Sequence, residues 1–322
     1  MLSNITLIIN PTSGGGRGAR IGPRLAERLR SEGAHVRTRC TSGRGDAIVL
    51  AAQAVSDGVD VVVAVAGDGT VNEVTNGLLS AESGGEQPRL VIVPCGTGND
   101  VARGLSLRYW EGGLDDLRTG FEQPMDAVRV SYVTEDGTLG LRTFINAADL
   151  GLGGRTVIEA AKHRKRLGGT GAFLYGALLA ILHAENPRVR VVVDGDPLLE
   201  EPVSLVVIAN GRYFASGMHV APQADPSDGL LDVLVLRETP RWRMILDLLP
   251  RVYLGAHLGH ARVTVARGRH VTVHSASQLP LEMDGELVGT SDVELTVLPG
   301  AITVLVPRAV PGGRSRKGSA SP

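Results

Sequence analysis

Two glycines flank a carboxylate where an apolar run ends. Val59 to Val65 reads as a strand, and it empties into Ala66-Gly67-Asp68-Gly69-Thr70-Val71-Asn72-Glu73 at the start of a helix. Backbone N–H groups at such a turn, with a helix N-terminus, can meet a phosphate, and Asp68 or Glu73 can hold a cation beside it. Asp-Gly is also a common turn pair, so the octapeptide alone fits a phosphate loop or a plain turn. Three further loops share its character. They are Asn10-Pro11-Thr12-Ser13-Gly14-Gly15-Gly16-Arg17-Gly18, Thr41-Ser42-Gly43-Arg44-Gly45-Asp46 and Pro94-Cys95-Gly96-Thr97-Gly98-Asn99-Asp100.

Each loop follows a strand-like run: Ile5–Asn10, Val36–Cys40, Val59–Val65 and Leu90–Val93. Each precedes a helical stretch. Ile21, Leu25 and Leu29 recur at spacing four in the first, and the others are expected at about 46–55, 71–79 and 99–105. Strands alternating with helices predict an α/β domain, a doubly wound parallel sheet with helices on both faces. Right-handed crossovers gather the strand C-termini on one edge, where α/β ligands bind. Four polar, glycine-rich loops on that edge predict a shared nucleotide or phosphate site.

Two familiar nucleotide motifs fit poorly. Gly14, Gly16 and Ala19 match a loose Gly-x-Gly-x-x-Ala pattern, yet Arg37-Thr38-Arg39-Cys40-Thr41 supplies no ribose-binding acid before Asp46. Lysine occurs only at Lys162, Lys165 and Lys317, followed by His, Arg and Gly. A P-loop needs Gly-Lys followed by Ser or Thr, so there is none. The N-terminal half also lacks a protein-kinase strand lysine.

Length and composition bound the rest. At 322 residues the chain suits two domains, and 43% hydrophobic with 21% charged residues describe a globular protein. A formal charge of -1 gives no support to nucleic acid as a bulk partner. Cys40 and Cys95 make no disulfide framework, which points to a reducing, cytoplasmic setting. Ile5 to Ile9 is too short for a signal-peptide core, and Ala172 to Leu182 is about half a membrane span.

From about residue 126 the texture changes to short alternating runs: Val189–Val193, Arg262–Ala266, His270–His274, Glu294–Leu298 and Ile302–Val306. These predict an antiparallel β-sandwich domain, interrupted by a helical insertion over about 155–183. Asp194-Gly195-Asp196 and Asp284-Gly285-Glu286 are nearly the same string, both hairpin signals. Spacing does not choose between them. Asp225-x-x-Asp228-Gly229 fits a hard-metal loop or a polar turn before the strand Leu231–Leu236.

Together these segments resemble the diacylglycerol kinase catalytic-domain family, which includes soluble bacterial diacylglycerol kinases, sphingosine kinases and ceramide kinases. The resemblance rests on Asn10-Pro11 with Ser13-Gly14, on Gly67 to Glu73, and on Pro94 with Gly96-Thr97-Gly98-Asn99-Asp100. It continues through Asn210-Gly211, Gly217, Ala221-Pro222, Asp225, Asp228-Gly229-Leu230-Leu231-Asp232 and Asp284-Gly285-Glu286. Ala66 replaces the family's usual first glycine.

The resemblance implies an N-terminal domain like that of NAD kinases and phosphofructokinases over 1–125 and a β-rich lipid- and metal-binding domain over 126–307; the Gly-, Ser- and Arg-rich composition of the end predicts a basic, disordered tail over 308–322. It implies ATP held by Asn10, Pro11, Thr12, Ser13, Gly14, Thr41, Gly67, Asp68, Gly69, Thr70, Val71, Asn72, Glu73, Thr97 and Asn99. Asp68 then sits near the phosphates and their Mg²⁺. Glu286 is the expected general base for a lipid hydroxyl, with Asp284 assisting or orienting it. Asp225, Asp228 and the Leu230 carbonyl are an expected anchoring metal site. The implied activity is transfer of the γ-phosphate of ATP to a lipid such as diacylglycerol. The rivals are an NAD kinase and a non-catalytic lipid or nucleotide sensor of the same fold.

Lys162-His163-Arg164-Lys165-Arg166 precedes the apolar stretch Ala172–Leu182, and Arg314, Arg316 and Lys317 lie in the tail. A basic cluster beside an apolar helix fits peripheral contact with an anionic membrane, as it fits a solvated face. Oligomeric state is not legible, and a homodimer stays open.

Overall fold

Four parallel strands carry the edge on which the loops gather: β1 (Asn4–Ile9), β2 (His35–Cys40), β3 (Val61–Ala66) and β4 (Arg89–Pro94), in the order β2-β1-β3-β4. The computed structural model describes residues 4–81, 86–107, 120–134 and 136–307, without the side chains of 164–170. Every residue of β3 is buried, as a strand covered on both faces requires. Helix α1 (Ser13–Ser31) covers one face, packing Leu25, Ala26 and Leu29 on Ile5, Leu7, Val61 and Val63. Helices α2 (Asp46–Ser56) and α3 (Asp68–Ser80) cover the other, with Ala47, Ala51, Val74 and Leu78 on Ile8, Val62 and Ala64. A short α4 (Asp100–Gly104) follows β4.

One boundary differs in a way that matters. Helix α3 begins at Asp68, three residues before the expected Val71, so the Gly-Asp-Gly-Thr segment is itself the helix N-terminus. Gly67 precedes it in extended conformation (φ -102°, ψ 178°), and an acidic first residue suits the positive end of a helix.

The second half is antiparallel. It contains β5 (Phe121–Val133), β6 (Leu139–Phe144), β7 (Ala147–Gly151), β8 (Arg188–Val193), β9 (Asp196–Ala209), β10 (Leu231–Arg237), β11 (Val263–Gly268), β12 (His270–Ser275), β13 (Pro280–Met283) and β14 (Glu286–Val306). Val130, Val191, Ile208, Val233, Val271 and Leu295 share its core. The two strands expected at 294–298 and 302–306 are one strand, β14, with a register shift between Leu298 and Ile302. At its far end Val304 pairs in parallel with Leu90 of β4, so β14 stitches the two halves into one sheet. The expected break at residue 125 falls inside β5, which runs along β14.

The helical insertion is α5 (Leu152–Leu182). A further segment, α6, runs through Arg241–Arg243, Met244–Leu248 and Leu249–Leu254. Among the described residues no helix is long and apolar enough to cross a membrane. The tail over 308–322 and the side chains of Arg164, Lys165 and Arg166 lie outside the described residues.

Candidate active site

Gly14, Gly67 and Gly96 bring three of the four loops into backbone contact. A Cβ on Gly14 would lie 1.9 Å from the Cys95 carbonyl oxygen, and one on Gly96 would lie 2.6 Å from Gly67 Cα. Neither gap admits a side chain. Gly14, Gly15 and Gly16 take φ of 58°, 68° and 90°, so the chain enters α1 through a left-handed turn suited to glycine. Asn10 Nδ2 donates to Thr70 Oγ1 at 2.8 Å, and Arg17 Nη2 donates to the Gly96 carbonyl at 3.2 Å. The loops therefore hold one another.

Asp68 belongs to α3 but caps α4. Its Oδ2 accepts the Asp100 amide at 3.0 Å and its Oδ1 the Val101 amide at 3.1 Å. Burial pushes the Asp68 carboxyl up, while these amides and Arg103 oppose the rise. Asp100 is buried beside it. Asp100 Oδ1 takes Arg103 Nη1 at 2.6 Å, and Oδ2 takes the Ser216 amide at 2.8 Å. Burial, and then the Asp68 charge, push Asp100 up to about 6.

The hairpin turn between β13 and β14 meets this edge from the other half. Asp284 accepts four donors: Asn72 Nδ2 at 2.5 Å, and the amides of Ile145, Asn146 and Ala147 at 3.1, 3.1 and 3.0 Å. Burial still pushes its carboxyl up to about 6. Two residues on, Glu286 Oε2 accepts Arg44 Nη2 at 2.6 Å and Arg142 Nη2 at 2.7 Å. Arg44 comes from the loop after β2, so this contact spans the cleft between the halves.

A cavity of about 540 Å³ starts at these groups. Asp68, Thr97, Gly98, Asp100 and Asp284 line its polar end, and Ala172, Ile181, Leu234, Met244 and Leu249 line its apolar part. Leu174, Leu178 and Tyr253 line it and are also exposed. On the same two helices Leu182, Trp242, Leu246 and Leu254 are exposed too.

A family model for the diacylglycerol kinase catalytic domain matches residues 4–130, and one for the YegS C-terminal NAD kinase beta sandwich-like domain matches residues 150–306. A protein of Chromohalobacter salexigens named "probable lipid kinase YegS-like" is 34% identical over 285 residues, 87% of this chain and 86% of its own. The chain belongs to the diacylglycerol kinase catalytic-domain family. A diacylglycerol kinase of Mycobacterium tuberculosis is 29% identical over 310 residues, 95% of this chain and 96% of that one. The crystal structure of a diacylglycerol kinase from Bacillus anthracis str. Sterne shares the fold, with TM-score 0.72 at 21% identity over 95% of this chain and 97% of that one.

The nucleotide residues implied by the family resemblance fall into two sets. Asn10, Pro11, Thr12, Ser13, Gly14, Thr97 and Asn99 lie on or beside the loops at the sheet edge, Gly67, Asp68, Gly69 and Thr70 form the N-terminus of α3 there, and Thr41 joins them through its amide, which donates to the Ile9 carbonyl at 2.9 Å. The others build the edge from within. Val71 packs in the core under α3. Glu73 accepts the Gly45 and Ala47 amides at 2.9 and 3.3 Å, fixing the start of α2. Asn72 is engaged by Asp284 and by the Thr143 carbonyl at 3.3 Å.

The family's expected anchoring metal loop makes other bonds. Asp225 Oδ1 accepts the Ser227 amide and hydroxyl at 3.1 and 2.7 Å, and Asp228 Oδ1 accepts the Leu230 amide at 3.0 Å. Asp228 Oδ2 pairs with Arg267, which also meets Asp232 at 3.2 Å. Among the described residues no cluster of three or more His, Cys, Asp or Glu side chains stands ready for a metal.

Arg44, Arg142 and Asp100 went unassigned by sequence reasoning. Arg44 and Asp100 stand inside the glycine-rich loops, where position alone was a usable signal. Arg142 lies in a strand that periodicity did not reveal.

Proposed function

We propose that this family member transfers the γ-phosphate of ATP to the hydroxyl of a diacylglycerol-type lipid at a membrane surface. One observation carries the reading. The apolar cavity opens among exposed Leu174, Leu178 and Tyr253 and ends at Asp68, Asp100 and Asp284. A lipid entering from a bilayer brings its hydroxyl to the edge where the nucleotide loops meet.

Phosphoryl transfer asks chiefly for positioning and charge stabilisation. The amides at the start of α3 and the loop hydroxyls of Ser13, Thr70 and Thr97 suit phosphate oxygens. Arg44 and Arg142 provide guanidiniums where a P-loop would use lysine. Asp68, Asp100 and the buried, unpartnered Asn99 Oδ1 are hard oxygen donors that fit Mg²⁺. Bound there with the nucleotide, Mg²⁺ supplies charge neutralisation at the phosphates. Glu286 is the proton acceptor for the lipid hydroxyl once phosphates draw the arginines away, and Asp284 anchors the turn that presents it. The protein then works as a cytoplasmic, peripherally membrane-associated enzyme.

The test is Mg²⁺-dependent transfer of labelled γ-phosphate to diacylglycerol, phosphatidylglycerol, sphingosine and ceramide in anionic vesicles, with NAD in solution beside them. A labelled lipid is the expected result. Labelled NADP selects the NAD kinase alternative. ATP binding without any labelled product favours a sensor, and failure to bind ATP removes the four-loop site.

A further inference from the structure

Asp149 and Glu282 form a carboxyl pair that the mechanism above leaves unused. Asp149 lies on β7 and Glu282 on β13, and the antiparallel register sets them directly opposite each other. Both are fully buried. Burial pushes both carboxyls above the ordinary carboxylate range, and the Asp149 charge adds to the rise at Glu282. Gly154 N donates to Asp149 Oδ1 at 3.1 Å, and Gly285 N donates to Glu282 Oε1. Asp149 Oδ2 and Glu282 Oε2 receive no protein N–H or hydroxyl.

Like charges directly opposite destabilise a β-ladder, and a buried carboxyl without a cation is unfavourable. The fold nonetheless makes room for the pair. A Cβ at Gly153 would lie 2.0 Å from Asp149 Oδ2, so glycine there leaves the space that the carboxylate occupies. The start of α5 faces Asp149 and favours its negative charge. Both acids line the same cavity as Asp284 and Gly285. The Gly285 bond ties Glu282 to the turn that carries Asp284 and Glu286.

We propose that the Asp149–Glu282 pair recognises the polar end of the acceptor and selects a lipid alcohol bearing a second hydrogen-bond donor, a hydroxyl or an ammonium, beside the reacting hydroxyl. The proposal rests on the lipid-kinase reading and narrows it: 1,2-diacylglycerol, with one hydroxyl and no second donor, becomes the disfavoured acceptor. One oxygen of each carboxyl already accepts a backbone amide, and the two unpartnered oxygens offer acceptor positions to a ligand donor. An acceptor with a single hydroxyl leaves a buried carboxyl oxygen unpaired, and a diol or amino alcohol pairs it. Sites built to bond a substrate donor reject analogues that lack it.

The experiment compares kcat/KM for 1-monoacylglycerol, sphingosine and 1,2-diacylglycerol of matched chain length in phosphatidylserine-containing vesicles. It uses the wild-type chain, Asp149→Asn and Glu282→Gln, with thermal melting and ATP affinity as checks on folding. The expected result is a preference of at least about tenfold for an acceptor with the second donor, falling towards one in both variants. Monoacylglycerol in the lead identifies a diol site, and sphingosine in the lead an ammonium site. Equal kcat/KM for all three, or an unchanged ratio in the folded variants, overturns this proposal and leaves the lipid kinase standing. Transfer to no lipid overturns both. Should neither variant fold, the wild-type ratio decides alone.

Discussion

Glu286 Oε2 stands 2.6 Å from Arg44 Nη2, an ion pair joining the hairpin after β13 to the loop after β2. Arg142 holds the same oxygen at 2.7 Å. Neither arginine is adjacent to Glu286 in the chain, and their convergence joins the two halves of the molecule at one carboxylate. Glu286→Gln keeps the shape and removes the proton acceptor. Turnover should fall by at least about 100-fold, with ATP affinity retained in calorimetry. Normal turnover would remove Glu286 as the base.

Asp68→Asn tests the carboxylate that spans α3 and α4. An amide group presents a donor towards one of two backbone N–H groups, so stability should fall by about 1–3 kcal/mol. The rate should fall much further, by about 100-fold or more, at a temperature where the variant remains folded. A rate near wild type in folded protein excludes Asp68 from the site.

Asp100 predicts a stability that falls as pH rises. Its folded pKa of about 6 lies above the ordinary 3.8, so the folded state holds the proton more tightly than the unfolded one. That contribution is fully present below the unfolded value and is lost as pH climbs from about 4 through 6. At about 1.4 kcal/mol per pH step it amounts to about 3 kcal/mol. Melting of ligand-free wild type and Asp100→Asn across pH 4 to 8 should show the variant gaining on wild type through that window. A pH-independent difference would contradict this account.

Gly96→Ala tests the loop packing. The new Cβ would lie 2.6 Å from Gly67 Cα, backbone that cannot swing aside. Overpacking of this kind costs about 1–3 kcal/mol, and parting the loops should weaken ATP binding along with stability. Unaltered affinity would separate the Gly67–Gly96 contact from nucleotide binding.

Trp242 and Leu246 are exposed on α6, which also contributes Met244 and Tyr253 to the cavity wall. Replacing both with Asp should lower activity on vesicle-borne lipid severalfold, since apolar area placed in the interface drives such binding. Melting temperature and activity on a short-chain, dispersed acceptor should stay near wild type. Equal losses on both substrates would point away from membrane docking.

Much of the first half was legible because its signals are local. Strand–loop–helix alternation, four polar loops and all-apolar β3 are readable within windows of a few residues, and they place the loops on one edge. The second half was less so. β14 reads as two strands because Pro299-Gly300 interrupts the apolar pattern, while pairing with β5 carries the chain through. The helix at Asp68 also begins earlier than its apolar spacing implies.

The two Asp-Gly hairpins show where local information ends. Asp194-Gly195 takes φ of 51° and 91°, and Asp284-Gly285 takes 47° and 90°. That shared turn follows from the Asp-Gly pair alone, which tolerates positive φ. Only the tertiary structure made the two carboxylates different. Asp194 Oδ1 accepts the neighbouring-strand amides of Arg269 and His270 at the surface. Asp284 is enclosed by Asn72 and by amides 137 to 139 residues away. Turn geometry follows from each residue's own steric limits, whereas charge and partners follow from burial, which exists only once distant strands have met.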